Sequence, residues 1–114
     1  MFTEKEKADF HRKWITRLKK LAKILGMKPG TFDVRSNKGG PAVLGEVTLH
    51  GEKIYIQVFH YEQGALVRSC KGRKDYTGGK NNYMSLPAIV ELIEDPERID
   101  SINTLAHLKK IQES

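Results

Sequence analysis

The chain has 114 residues, with 20 Lys/Arg against 14 Asp/Glu and a formal net charge of +6. That length accommodates one hydrophobic core, so a single domain over residues 1–114 is expected. No apolar run reaches the roughly 18–20 residues of a membrane span, and one cysteine, Cys70, excludes an internal disulfide, which predicts an intracellular, cytoplasmic protein with no membrane partner.

Thr3-Glu-Lys-Glu6 matches a capping box, and Gly26 is suited to end the helix it opens. Between them Phe10, Trp14, Leu18, Leu21 and Leu25 recur every three or four residues, widened by Ile15 and Ala22. This predicts an amphipathic helix whose stripe, Phe10 and Trp14 included, faces a core. Arg12, Lys13, Arg17, Lys19, Lys20 and Lys23 fall mostly off the stripe.

Met27-Lys-Pro-Gly30 reads as a turn, and Phe32–Arg35 as a short strand broken by Ser36-Asn-Lys-Gly-Gly-Pro41. Residues 42–50 resume the sheet, and Gly51-Glu52 has the composition of a Gly-first hairpin turn. That turn sets His50 opposite Lys53, Leu49 opposite Ile54, Val47 opposite Ile56 and Gly45 opposite Val58. The other face then pairs Thr48 with Tyr55, Glu46 with Gln57 and Leu44 with Phe59. A second hairpin near Glu62-Gln-Gly64 leads into 65–71. An even loop there puts Val67 and Ser69 on the core face, and a four-residue loop aligns Glu46, Gln57 and Arg68 across three strands.

Residues Arg68–Tyr83 read as one long loop with five cations, one acid, three glycines, two asparagines and two tyrosines. Beyond it Ser85 and Pro87 open a helix, and Asp95-Pro96 opens another, with Asp95 as its cap. Ile99, Ile102, Leu105, Ala106, Leu108 and Ile111 supply the apolar side of the last helix. The expected architecture is α+β: an N-terminal amphipathic helix, an antiparallel three- to four-stranded sheet, the long basic loop, and two C-terminal helices packed on one sheet face.

Charge is unevenly spread. Residues 1–25 hold eight cations against three acids and residues 68–84 five against one, whereas 85–114 hold three against six. Two basic segments brought to one side would make a face that attracts polyanions. Within the loop Arg68, Lys71, Arg73, Lys74 and Lys80, with Lys38 from the smaller 36–40 loop, are candidate phosphate ligands. Tyr76 and Tyr83 are candidate stacking platforms, Asn81 and Asn82 candidates for base edges, and Tyr55 and Gln57 extend the surface across the sheet. The expected function is therefore nucleic-acid binding through the loop and an adjacent basic helix face, with DNA or RNA undetermined.

Two other readings follow from the same residues. Glu46, His50 and Arg68 on one sheet face would make a metal-independent nuclease, with a base, an acid and a cation for the phosphate. A basic contact loop also suits an adaptor or inhibitor gripping an acidic protein. Gly78-Gly79-Lys80 is not a P-loop, because Asn81 stands where that motif requires a hydroxyl. The four histidines at 11, 50, 60 and 107 lack ligand spacing, so no metal or other cofactor is expected. Oligomeric state is not encoded in any of these patterns.

Overall fold

The computed structural model describes residues 3–37, 45–59 and 64–113, and for Tyr76 the backbone alone. Lys38 and the side chain of Tyr76, two of the expected ligands, lie outside what is described, as do Gly39–Leu44 and 60–63. Helix α1 spans Glu4–Ile24. Its capping box is formed, with the Thr3 hydroxyl accepting from the Glu6 amide at 3.1 Å and the Glu6 carboxylate accepting from the Thr3 amide. At its far end Met27 N donates to Ala22 O at 2.9 Å and Gly26 N to Lys23 O at 3.0 Å. This is a Schellman closure that needs the positive φ of 78° at Gly26.

Strands β1 (Asp33–Asn37), β2 (Glu46–His50), β3 (Ile54–Phe59) and β4 (Gly64–Gly72) form an antiparallel meander. The β2–β3 turn differs from the sequence expectation. His50 faces Tyr55, Leu49 faces Ile56, Thr48 faces Gln57, Val47 faces Val58 and Glu46 faces Phe59. Glu52-Lys53 is therefore the turn, closed by Gly51 N to Ile54 O at 2.9 Å. Gly51 has no positive φ, and a Cβ there would lie 2.6 Å from Met27 Cε, the far end of a flexible side chain. The turn's backbone geometry therefore does not call for glycine at this position. Because the register moved by two residues, every side chain kept its face.

Val67 and Ser69 do join the covered face, opposite Ile56 and Ile54. The expected row of Glu46, Gln57 and Arg68 does not form. Arg68 lies in line with Tyr55 and His50, Gln57 with Thr48 and Leu66, and Glu46 with Phe59.

The largest revision concerns the long loop, most of which is strand. β5 (Asp75–Gly78) and β6 (Asn82–Ser85) both pair with β4, β5 along its C-terminal part and β6 along its N-terminal part. They are two halves of one returning strand, interrupted at Gly79-Lys80-Asn81, and they bring the strands among the described residues to six. Gly78 takes φ 116°, and a Cβ on Gly79 would lie 2.3 Å from Ser69 Oγ and 2.5 Å from Ser69 O. The glycines thus let the broken strand press against β4, where a side chain would hold it off.

Helix α2 spans Leu86–Glu94 with Ser85 as its cap, as expected. Helix α3 begins at Ile99. Asp95 terminates α2 instead of opening α3, and Arg98 N donates to Asp95 O at 3.3 Å across a turn with Pro96 in second position. Asp followed by Pro suits that turn as well as it suits a helix start. The buried side of α3 is Ser101, Leu108 and Ile111 with Leu105 partly covered, whereas Ile99 and Ile102 are 78% and 53% exposed.

One core cluster joins Phe10, Trp14, Leu18 and Leu21 of α1 to Val47, Leu49, Ile54, Ile56, Val58, Ala65 and Val67 of the sheet and to Ile89, Leu92, Leu108 and Ile111. Helix α1 packs chiefly over β1 and β2, α3 over β4, and α2 over β6 and both other helices. The helices cover one face of the sheet. No described helix is long and apolar enough to cross a membrane.

Candidate functional site

Along the returning β5–β6 arm, Lys71, Lys74, Lys80 and Asn81 are exposed, Asn82 is half-buried, and Tyr83 is 75% exposed. None of the three lysines forms an ion pair with a described residue. The arm's one acid, Asp75, accepts from the Thr77 amide at 3.0 Å and from its hydroxyl at 2.5 Å. Those bonds hold its carboxyl below the ordinary range and tie its charge into the turn. The arm therefore presents cations with an aromatic ring beside them.

Arg73, at the hairpin tip, is differently employed. Its Nε and Nη2 donate to Asp33 Oδ2 and Oδ1, each at 2.9 Å, and further bonds reach the carbonyls of Gly30 and Phe32. In a flat sheet β4 would lie three strand spacings, roughly 14 Å, from β1. The contact requires the end of β4 to curl across the open face. This fork holds the Asp33 carboxyl below its usual range. Arg73 is thus a strap within the fold, with four of its five N–H donors engaged.

Beneath the strap lies His50, 2% exposed. Its Nε2 is 2.7 Å from Gly72 O, and its Nδ1 is 2.8 Å from Arg35 Nη2. A guanidinium only donates, so Nδ1 accepts and Nε2 carries the proton that goes to the Gly72 carbonyl. Tyr55 meets the ring edge-on at 5.1 Å. Burial pushes the His50 imidazole below its ordinary value. Both nitrogens are occupied, and the ring is neutral.

The nuclease trio is not assembled around one point. Glu46 accepts from Gln57 Nε2, and from Asn37 Nδ2 at 3.3 Å. It stands four residues from His50 along β2, about 13 Å in a strand. Arg68 donates to Gly79 O at 3.1 Å, on the far side of Tyr55. Cys70 donates to Gly51 O at 3.3 Å, and burial pushes its thiol up, away from thiolate. Among the described residues no group of three His, Cys, Asp or Glu could hold a metal ion.

The two basic segments also part company. Helix α1 covers the β1–β2 side of the sheet, whereas the arm forms the opposite edge; Arg73 links the arm's tip to the α1–β1 connection. On α1, Arg12 pairs with Asp9, and Arg17 stacks over Trp14 at 4.9 Å.

A pocket of about 450 Å³ opens between the arm's interruption and α3. Lys80 and Asn82 were expected site residues; Ser69, His107 and Lys110 of the same pocket were not. Nothing in the local sequence around Lys110 marks it, because its neighbourhood with Lys80 arises from the docking of α3 on β4. No family model, characterised protein sequence or solved structure matches this chain.

Proposed function

We propose that this protein binds nucleic acid along the β5–β6 edge, with Lys71, Lys74 and Lys80 against phosphates and Tyr83 stacking on an unpaired base. The observation that carries this reading is the coincidence, on one exposed edge, of three exposed lysines that form no ion pair with a described residue and a tyrosine 75% exposed. Phosphate neutralisation supplies most of the affinity of such surfaces, and base–aromatic stacking favours single strands. Arg73 acts indirectly in this reading, by holding the hairpin that displays Lys71 and Lys74. Asn81 and Asn82 supply hydrogen bonds at the interruption, where the backbone is closest to the ligand. Recognition by phosphate contacts alone carries no sequence preference.

The test is a titration of labelled single- and double-stranded DNA and RNA at low and high salt, following both binding and strand integrity. Intact single strands should bind at low salt and release at high salt. Replacing Lys71, Lys74 and Lys80 together by alanine should weaken binding at least tenfold. Tyr83→Ala should cost about 1–3 kcal/mol for one stacked base. Absence of binding to every strand at low salt would overturn the proposal; an acidic protein partner for the same edge would then take its place.

A further inference from the structure

Alternation along β3 and β4 buries Ile54, Ile56, Val58, Ala65 and Val67 under the helices and turns Tyr55, Gln57, Phe59, Leu66 and Arg68 to the opposite face of the sheet. Phe59 and Leu66 are apolar and only half-buried, and neither belongs to the core cluster or packs against it. The register sets Leu66 between Gln57 of β3 and Tyr83 of β6, the latter 75% exposed. Tyr55 and Phe59, two residues to either side of Gln57, are the diagonal neighbours of Leu66, within reach of an aromatic side chain. On β2 the same face is closed, with Thr48 and His50 buried. An apolar patch centred on Leu66 is thus accessible over β3, β4 and β6, and it has no part in the fold's own core.

The polar groups around the patch narrow what it fits. The carboxylates of this face are engaged internally: Asp33 gives both oxygens to Arg73, and Glu46 accepts at one oxygen from Asn37 and at the other from Gln57. Because Glu46 only accepts, the Gln57 amide nitrogen is turned to it, and the Gln57 carbonyl oxygen is the acceptor offered at the border of the patch. Along the adjoining edge stand the exposed Lys71, Lys74 and Lys80. A second copy laid on this face would set like charges together, which is unfavourable. A ligand with flat apolar groups on an anionic backbone matches the patch and the edge at once.

We infer that this sheet face is a base platform: a single nucleic-acid strand crosses from the edge onto the sheet, its bases against Tyr83, Leu66 and Phe59 and its phosphates toward the lysines. Sheet faces of this kind stack two or three bases. Tyr83 and Phe59 are two strand spacings apart, roughly 10 Å, so one base does not cover both. A duplex keeps its bases stacked on one another and offers the sheet no ring face. The inference rests on the nucleic-acid reading above and adds the base contacts that lie beyond Tyr83.

The experiment measures binding of a short single-stranded oligonucleotide, and of its abasic counterpart with the same phosphates, across a salt series. Leu66→Thr and Phe59→Ala should each weaken binding of the oligonucleotide about fivefold or more, the scale of one stacked base. Both should leave the abasic strand's affinity and the salt slope unchanged, because no phosphate contact is removed. Leu66→Tyr keeps the apolar area and adds a ring, so it answers for folding and should bind at least as tightly as the native chain. Ile102→Thr, which changes an apolar residue 53% exposed on α3, should behave as native. Unchanged affinity in both face variants, with the lysine variants weakened, overturns the platform and leaves the edge reading standing. Weakening in the face variants with none in the lysine variants keeps the platform and overturns the edge reading. No strand binding at low salt overturns both, and a dimer dissolved by Leu66→Thr would then assign the patch to a second copy.

Discussion

At the scale of single residues, His50 is the side chain whose state depends most on the fold. It is buried beside Arg35, Asp33 and Asp75, under the Arg73 strap, with Tyr55 at its edge. Because its folded pKa is depressed, an unfolded chain takes up a proton near the ordinary value of about 6.5 while the folded chain does not. The unfolded state then binds more protons, so this contribution is complete above about pH 7 and is lost as pH falls toward the folded pKa. Protonation would also remove the acceptor that Arg35 uses. Urea unfolding midpoints should fall between pH 7.5 and pH 5.5, and by less in His50→Gln; equal falls in both proteins would rule this out. Asp33 and Asp75, also depressed, act in a separate window, as pH falls below about 4. Arg73→Ala should uncover the ring and raise its titration midpoint, read directly from the His50 resonances.

At the scale of elements, the interrupted arm shows where pattern reading reaches and where it stops. The alternation of Val47, Leu49, Ile54, Ile56 and Val58 identified the covered face correctly even though the turn was misplaced, because a shift of two residues preserves side-chain direction. Residues 68–83 carry little alternation and three glycines, so nothing local announces a strand. What makes them one is the unpaired edge of β4, a partner supplied by tertiary structure. The same limit applies to α3, where Ile99 and Ile102 are apolar yet exposed because the 95–98 turn rotates the buried side toward Ser101 and Leu108. Gly79→Ala tests the arm's packing. Its Cβ would meet both the hydroxyl and the backbone oxygen of Ser69, so the strand must move outward. A loss of roughly 1–3 kcal/mol is expected in chemical unfolding, the usual cost of overpacking. Ser69→Ala should relieve little of it, since the backbone oxygen remains. Full rescue by Ser69→Ala would mean that the arm is held by the hydroxyl contact alone.

At the scale of the whole molecule, the net charge of +6 does not form one basic face. The cations of α1 and those of the arm are at opposite sides of the sheet, with α2 and α3 and their excess of acids between them on the covered face. At physiological ionic strength the screening length is about 8 Å, so the distant helix adds little to a ligand held at the edge. This separates two contributions that composition alone merges. If the edge holds the strand, each lysine removed from Lys71, Lys74 and Lys80 should lower the slope of log affinity against log salt by about 0.7, the value for a single-strand phosphate contact. Removing Lys13, Lys19 and Lys20 of α1 makes the same change in net charge and should leave the slope unaltered. A binding surface that depended on total charge would respond equally to both sets. Equal responses would assign the affinity to the molecule's net charge; a response confined to the arm would assign it to the edge that β4 creates by pairing with a broken strand.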